Sequence, residues 1–419
     1  SAPSNVMGDG LLILSYAVAG VALGTVTGLV PGLHVNSVAF LLVGIAPTLS
    51  GPAVAVGAAV ISAGIVHTFL SVIPGLVLGV PEAATAAGAL PGHRLVLQGY
   101  GREAIRLSAL GSGISLTAAL IGAVPLSWII ASQQELLREI LPFLLLGIAG
   151  ALVIMEPTWR SRGGGIICFC IASGLGFLAL DLPAAGILAP DGSASMLGPI
   201  FAGLFGAPVL LDALTADGEI PPQTYEQLSL SPLSTVRAAL AGTGGGALVG
   251  YLPGVSSGVA AVLALGGAGG SGVAGQGADR TYVVATSGAD TATAVFAVAS
   301  LAVLGSPRSG VTVALSELGG GSLPAGLVSM LIITVVAAAL GIAILVTIGD
   351  LYLDIVRRLP RRPLVLLVLG LLIILSVGFA GLLGGGVFLF STVIGLVPPR
   401  VRARRVHLMA VLLGPVALG

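Results

Sequence analysis

Two short stretches of the chain join a break in the backbone to hydrogen-bonding side chains. Gly24-Thr-Val-Thr-Gly28-Leu-Val-Pro31-Gly32 leads into Leu-His34-Val-Asn36-Ser37, and Gly246-Ala-Leu-Val-Gly250-Tyr-Leu-Pro253-Gly254 leads into Val-Ser256-Ser257-Gly258. The shared skeleton, G-x3-G-x2-P-G, recurs 222 positions later (253 minus 31). A half-helix that starts at a Pro-Gly break leaves its first backbone N–H groups unpaired and its positive dipole end exposed, which together suit an anion. The simpler reading is that Gly and Pro only kink packed helices. Two breaks in register, each followed by His, Asn or Ser, favour binding. The substrate-binding candidates are therefore Pro31, Gly32, His34, Asn36, Pro253, Gly254, Ser256 and Ser257. Pro74 and Gly75 join them as a further break, and Arg308 as a guanidinium able to clamp a carboxylate or phosphate with two bonds.

A second group suggests coupling. Charge at membrane depth costs about 2.5 to 3.5 kcal/mol per residue, so it usually faces a cavity. Asp290, with Thr291 and Thr293 beside it, is a candidate for Na⁺ or a proton. His67, Glu82 and Arg280 also stand near apolar runs; for Glu82 and Arg280 a place at a helix end in water is equally open. Gly254-Val-Ser256-Ser257-Gly258 matches the G-x-S-x-G nucleophile elbow, but that motif needs a strand before it and the flanks read as helix. HExxH is absent, and Cys168 and Cys170 lie alone in an apolar run as small buried hydrophobes. The chain does not read as an enzyme. No metal-ligand set is identified, and neither a cofactor nor a nucleic-acid partner is expected.

The elements that position these residues follow from composition. With 56% hydrophobic and 8% charged residues and a mean hydropathy of +1.10, the chain lacks the charge to cover a water-soluble globule. It is expected to be an all-α polytopic membrane protein of the cell membrane, with the lipid bilayer as its solvent. Residues 1–9 carry no basic n-region or small-residue cleavage site, so no cleaved signal peptide is expected. Apolar runs at 11–30, 35–47, 53–70, 107–130, 141–155, 166–180 and 196–214 read as spans or half-spans of a first membrane repeat, residues 1–214. Residues 215–237 are the longest hydrophilic stretch and read as a polar linker. A second repeat with additional C-terminal spans occupies 238–419, with runs at 242–252, 282–304, 323–348, 364–383, 387–397 and 406–418. Residues 266–277 read as a Gly-rich loop, and Pro307-Arg308 is matched to Pro74-Gly75 as the second break of each half. Arginine clusters at 94–106, 160–162, 357–362 and 400–405 mark the cytoplasmic side. Paired breaks in two halves are the pattern of a transporter built from two inverted-topology repeats with broken or re-entrant helices.

Several of these stretches resemble the TctA family, the large membrane subunit of tripartite tricarboxylate transporters. The similar segments are Gly28-Leu-Val-Pro31-Gly32, Ile73-Pro74-Gly75, Gly99-Tyr-Gly101-Arg102-Glu-Ala104, Gly250-Tyr-Leu-Pro253-Gly254 and residues 283–315. The resemblance implies secondary transport of a small carboxylate, aided by a small membrane subunit and a binding protein. The chain departs from the family pattern at Thr286-Ser287, Asp290-Thr291, Pro307-Arg308 and His34. Pro253-Gly254-Val-Ser256-Ser257-Gly258 also resembles the DUF368 polyprenyl-phosphate translocases, which implies a lipid-phosphate substrate as the alternative. A homo-oligomer stays open.

Overall fold

The structure is a computed structural model that describes residues 3–31, 39, 42, 46, 51–79, 89–189, 195–215, 220–224, 228–252, 255, 257–264 and 276–419. Among these residues the regular elements are all helices. In chain order they are α1 (Pro3–Leu29), α2 (Ala53–Leu70), α3 (Val72–Leu78), α4 (Ala89–Leu97), α5 (Gly101–Ser132), α6 (Gln134–Ile154), α7 (Trp159–Ala179) and α8 (Leu197–Phe201). A π turn (Ala202–Gly206) joins α8 to α9 (Ala207–Thr215). Then come α10 (Pro232–Tyr251), α11 (Ser257–Ala264), α12 (Gln276–Leu304), α13 (Gly310–Leu318), α14 (Leu327–Arg358), α15 (Arg361–Gly395), α16 (Val397–Arg400), a 3-10 turn (Arg405–Met409) and α17 (Ala410–Leu418). Seven helical stretches among the described residues are long and apolar enough to cross a bilayer. The protein is a multi-pass membrane protein.

Related helices stand in corresponding places along the chain. Helices α5 and α14 are both 32 residues long and begin 226 positions apart (327 minus 101). Gly79 closes α3 and Gly305 closes α12 in the left-handed region, at φ 70° and 62°, again 226 apart. Glycine stripes 222 apart do the same packing work in each case. Gly24 of α1 lies so close to α2 that a β-carbon there would sit 2.5 Å from the Ala63 carbonyl oxygen, and one at Gly246 of α10 would sit 2.5 Å from that of Ala289 in α12. In lipid there is no hydrophobic drive between helices, so close backbone approach through small residues supplies the attraction.

The long helices cross over. α5 lies along α12, with Gly111 against Val284, Ser115 against Gly288, and Ser287 Oγ bonded to Ser108 Oγ at 2.8 Å. α14 lies along α2, with Gly341 against Val66 and Phe69. Between α5 and α14 the order of contacts reverses: Gly101 meets Leu353, Ile105 meets Gly349, and Gly113 meets Ile342. These two helices therefore run antiparallel.

The structure corrects several sequence expectations. Pro74 and Gly75 do not interrupt the second span. Ser71 keeps helical dihedrals (φ −63°, ψ −19°), and Pro74 falls in the first turn of α3, where a missing N–H costs little. The break comes at Gly79, so its counterpart is Gly305, and Pro307-Arg308 matches Pro81-Glu82 in sequence instead of Pro74-Gly75. Within the 215–237 stretch, residues 232–237 are helical and belong to α10, and residues 223–224 are bonded to the turn before α5. The Gly99 carbonyl accepts from the Thr224 amide at 2.9 Å, and Gln223 Oε1 accepts from the Gly101 amide at 2.7 Å. Cys168 is buried as expected, but Cys170 is exposed on α7.

The two expected spans at 364–383 and 387–397 are arms of a hairpin within α15. Gly381 leaves helical space at φ 66°, ψ −168°. Val365, Val368, Leu372 and Phe388 share one cluster with Ala202, Ala207 and Leu210. In a straight helix Val365 and Phe388 would be about 35 Å apart, whereas residues 202 and 210 are only about 12 Å apart. The turn returns the chain to its starting side, so Arg400–Arg405 share a face with Arg357-Arg358.

That face is held by ion pairs. Arg102 Nη2 reaches Asp354 at 2.8 Å, Arg106 Nη2 reaches Asp350 at 2.8 Å, and Arg405 Nη2 reaches Asp212 at 2.8 Å. Glu156, in the turn between α6 and α7, ties down the C-terminal segment. Its Oε1 accepts from the Arg404 amide at 3.1 Å, from Arg404 Nε at 3.0 Å and from His407 Nε2 at 2.9 Å. An ionised carboxylate only accepts, so His407 carries its proton on Nε2. Burial raises the Glu156 pKa, but the His407 bond, the Arg404 amide and the Arg404 charge outweigh it and hold the carboxyl below its ordinary value. A lowered folded-state pKa gives stability that is complete above the unfolded value and is lost as pH falls through the folded one. Glu156→Gln is therefore expected to cost about 1.5 to 3 kcal/mol at neutral pH. The gap in Tm between variant and parent should close below the ordinary glutamate pKa of about 4.3. A gap that is constant with pH would refute the assignment.

Candidate functional site

The two helix pairs whose first members, α1 and α10, run up to the Pro-Gly stretches present equivalent junctions. In α1 and α2 the glycine stripe seats Gly28 against His67 and Leu70; in α10 and α12 it seats Gly250 against Phe296 and Ala297. Gly24 contacts the His67 amide and Gly246 the Thr293 amide, so His67 and Thr293 are counterparts, 226 positions apart. His67 is buried, and its Nδ1 lies 3.0 Å from Thr27 Oγ1, four residues before Pro31. Thr293 Oγ1 donates to the Ala289 carbonyl at 2.7 Å and reaches that of Gly246 at 3.4 Å, seven residues before Pro253. One titratable or hydroxyl group thus stands at the same level of each helix pair.

Asp290 is buried one turn before the Thr293 level, 9% exposed, within a polar stretch of α12. Thr286 and Thr291 beside it are buried too, and their hydroxyls donate to the carbonyls of Tyr282 and Ser287, both at 2.9 Å. With their protons committed to the helix, these oxygens keep lone pairs for a cation. α10 packs on residues 285, 289 and 293 of α12, and α5 on 284 and 288. At 100° per residue, Asp290 falls outside both contacts. The residue 226 positions earlier, in α2, is Gly64, where a β-carbon would sit 2.9 Å from a side-chain carbon of Val311 in α13. Of these two corresponding positions only the one in α12 carries a carboxylate.

Arg308 is half-buried in the non-helical segment between Gly305 and Ser309, the residue that caps α13. Its amide donates to Thr312 Oγ1 at 2.9 Å. Pro31 is half-buried at the turn that ends α1, and Pro74 and Gly75 are buried within α3. Gly32, His34, Asn36, Pro253, Gly254 and Ser256 lie outside the described residues, as does the side chain of Ser257, whose backbone opens α11. Glu82 lies outside them as well. No group of three or more His, Cys, Asp or Glu side chains that could hold a metal occurs among the described residues.

Sequence reasoning missed one buried pair. Glu103 Oε2 and Arg280 Nη2 are 2.6 Å apart and each side chain is 4% exposed. Arg280 also stacks 4.8 Å from the Tyr100 ring centre, and Glu103 Oε1 accepts from the Ser229 amide at 2.7 Å. Arg280 is therefore inside the fold, not in water at a helix end. The signal was an isolated carboxylate between Arg102 and Arg106 with a lone arginine far along the chain.

Comparison with known proteins supplies the family. Over 208 residues the chain is 29% identical to an uncharacterized protein of Methanocaldococcus jannaschii, a match that covers 49% of each chain. The chain thus spans about half the length of the curated relative it matches. No solved structure matches. The profile of the tripartite tricarboxylate transporter TctA family matches residues 14–410. Nearly the whole chain is covered, helix pairs and polar stretch included, and the protein belongs to the TctA family.

Proposed function

We propose that this chain is the translocating membrane subunit of a secondary transporter for a small carboxylate, built as two inverted repeats. The observation that carries the reading is the duplicated junction, α1 on α2 and α10 on α12, each leading directly into a Pro-Gly break. Inversion is supported by the antiparallel run of α5 and α14, which are counterparts in length and spacing. In this reading the backbone that restarts after Pro31-Gly32 and Pro253-Gly254 offers its first N–H groups to an anion, with His34, Asn36, Ser256 and Ser257 as side-chain donors and Arg308 as the counter-charge. Asp290 with Thr291 and Thr293 takes the coupling Na⁺ or proton. Family membership supports a small membrane subunit and a binding protein as partners.

Ligand-linked stability tests the substrate class. At a concentration of 100 Kd a bound ligand stabilises by about 2.7 kcal/mol. Di- or tricarboxylates are expected to raise the Tm of the purified protein, and Arg308→Gln to remove most of that rise. A rise with short-chain polyprenyl phosphate and none with carboxylates would replace the reading by a lipid-carrier translocase. A rise with neither would end it.

A further inference from the structure

A cavity of about 420 Å³ opens between α3, α4 and the turn that joins α14 to α15. That volume lies within the range of small-molecule sites. None of the candidate substrate or coupling residues lines it. Its walls are mostly apolar, with Leu78, Leu97, Leu359 and Leu364 among them, and its charge comes from Arg357 and Arg358, with His93 alongside. His93 Nδ1 donates to the Leu76 carbonyl at 2.8 Å, which fixes the ring against α3.

We propose that this cavity binds an anionic phospholipid of the cytoplasmic leaflet, with its phosphate on Arg357 and Arg358 and an acyl chain along the leucines. Charge is the first argument. Arg94, Arg102, Arg106, Arg280, Arg404 and Arg405 all meet carboxylates on this face, namely Asp279, Asp354, Asp350, Glu103, Glu156 and Asp212. Arg357 and Arg358 are exposed and form no ion pair among the described residues. Two adjacent cations that pair with no carboxylate among the described residues are complementary to a phosphate.

Position and wall chemistry choose the source of that phosphate. Both arginines end a strongly apolar spanning helix, at the face that the arginine clusters mark as cytoplasmic, where anionic lipids concentrate. Leu97 and Leu359 at the cavity are 43% and 45% exposed. A free anion leaves that apolar surface bare, whereas a lipid covers it while its headgroup meets the arginines. The C-terminal dipole of α14 opposes an anion, but it acts against two full positive charges. Occupancy would also brace Gly79, the left-handed residue after α3, since Leu78 lines the cavity and Gly79 packs on His93.

The full chain in nanodiscs of phosphatidylcholine, with and without phosphatidylglycerol, tests this. Phosphatidylglycerol is expected to raise Tm by several degrees and to remain bound through detergent extraction, as read by native mass spectrometry. Arg357→Gln with Arg358→Gln should abolish both effects. Leu97→Trp, which fills the cavity and keeps the arginines, should abolish retention as well and gives the readout if the first variant fails to fold. As a control for general surface attraction, Arg160→Gln with Arg400→Gln removes two exposed cations from the same face. Equal loss in that control, unchanged retention in the cavity variants, or an equal rise in Tm with inorganic phosphate in phosphatidylcholine would each overturn the proposal. None of these outcomes bears on carboxylate binding.

Discussion

Glu103→Ala is expected to cost about 3 to 5 kcal/mol of stability, the range for breaking a buried ion pair from one side. The loss is large because the guanidinium of Arg280 cannot reach water: its side chain is 4% exposed, beneath the Tyr100 ring. The Ser229 amide also loses its acceptor, which loosens residues 228–231 from the first turn of α5. Replacing both partners by apolar residues, as in Glu103→Leu with Arg280→Met, should restore much of the loss, since no uncompensated charge then remains. Thermal unfolding of the parent, Glu103→Leu, Arg280→Met and the double variant in one detergent measures the coupling. A loss under about 1 kcal/mol for the single variant, the usual yield of a solvent-exposed pair, would show that the site is wet.

Asp290→Asn is expected to separate transport from folding. The amide keeps the volume and two of the hydrogen-bonding atoms but cannot carry a proton or balance Na⁺. Gradient-driven uptake into proteoliposomes should fall about 100-fold or more, equivalent to about 2.7 kcal/mol in the barrier. The side-chain volume is conserved, so the loss of uptake should far exceed any change in Tm measured on the same protein. Carboxylate binding measured by Tm should persist, since the proposed anion donors lie elsewhere. Full coupled uptake by the variant would exclude Asp290 from the coupling step.

The fold was legible wherever an apolar run ended at a turn. The 53–70 run coincides with α2, and the 364–383 and 387–397 runs correspond to the two arms of α15. It was misjudged where helices continue through charge. α5 begins at Gly101 instead of 107, and α14 runs to Arg358 instead of 348, because Arg102 and Arg106 meet Asp354 and Asp350 across the two helices. A window along one chain reads such residues as loop, for it cannot see that their partners are about 250 positions away. The same limit affected the repeat. Proline was taken as the marker of the second break, whereas the feature common to both halves is a left-handed glycine two residues before it, in Gly79-Val-Pro81 and Gly305-Ser-Pro307. With that register, His67 would have been recognised as the counterpart of Thr293.

The crossed packing of the long helices limits how such a molecule can move. Because α5 is clasped to α12 and α14 to α2, sequence halves are not mechanical halves. Rocking residues 1–214 as one block against 238–419 would shear both glycine- and serine-lined seams at once. Any piece that travels while the rest stays anchored in the bilayer must be a composite, assembled from segments contributed by each end of the polypeptide.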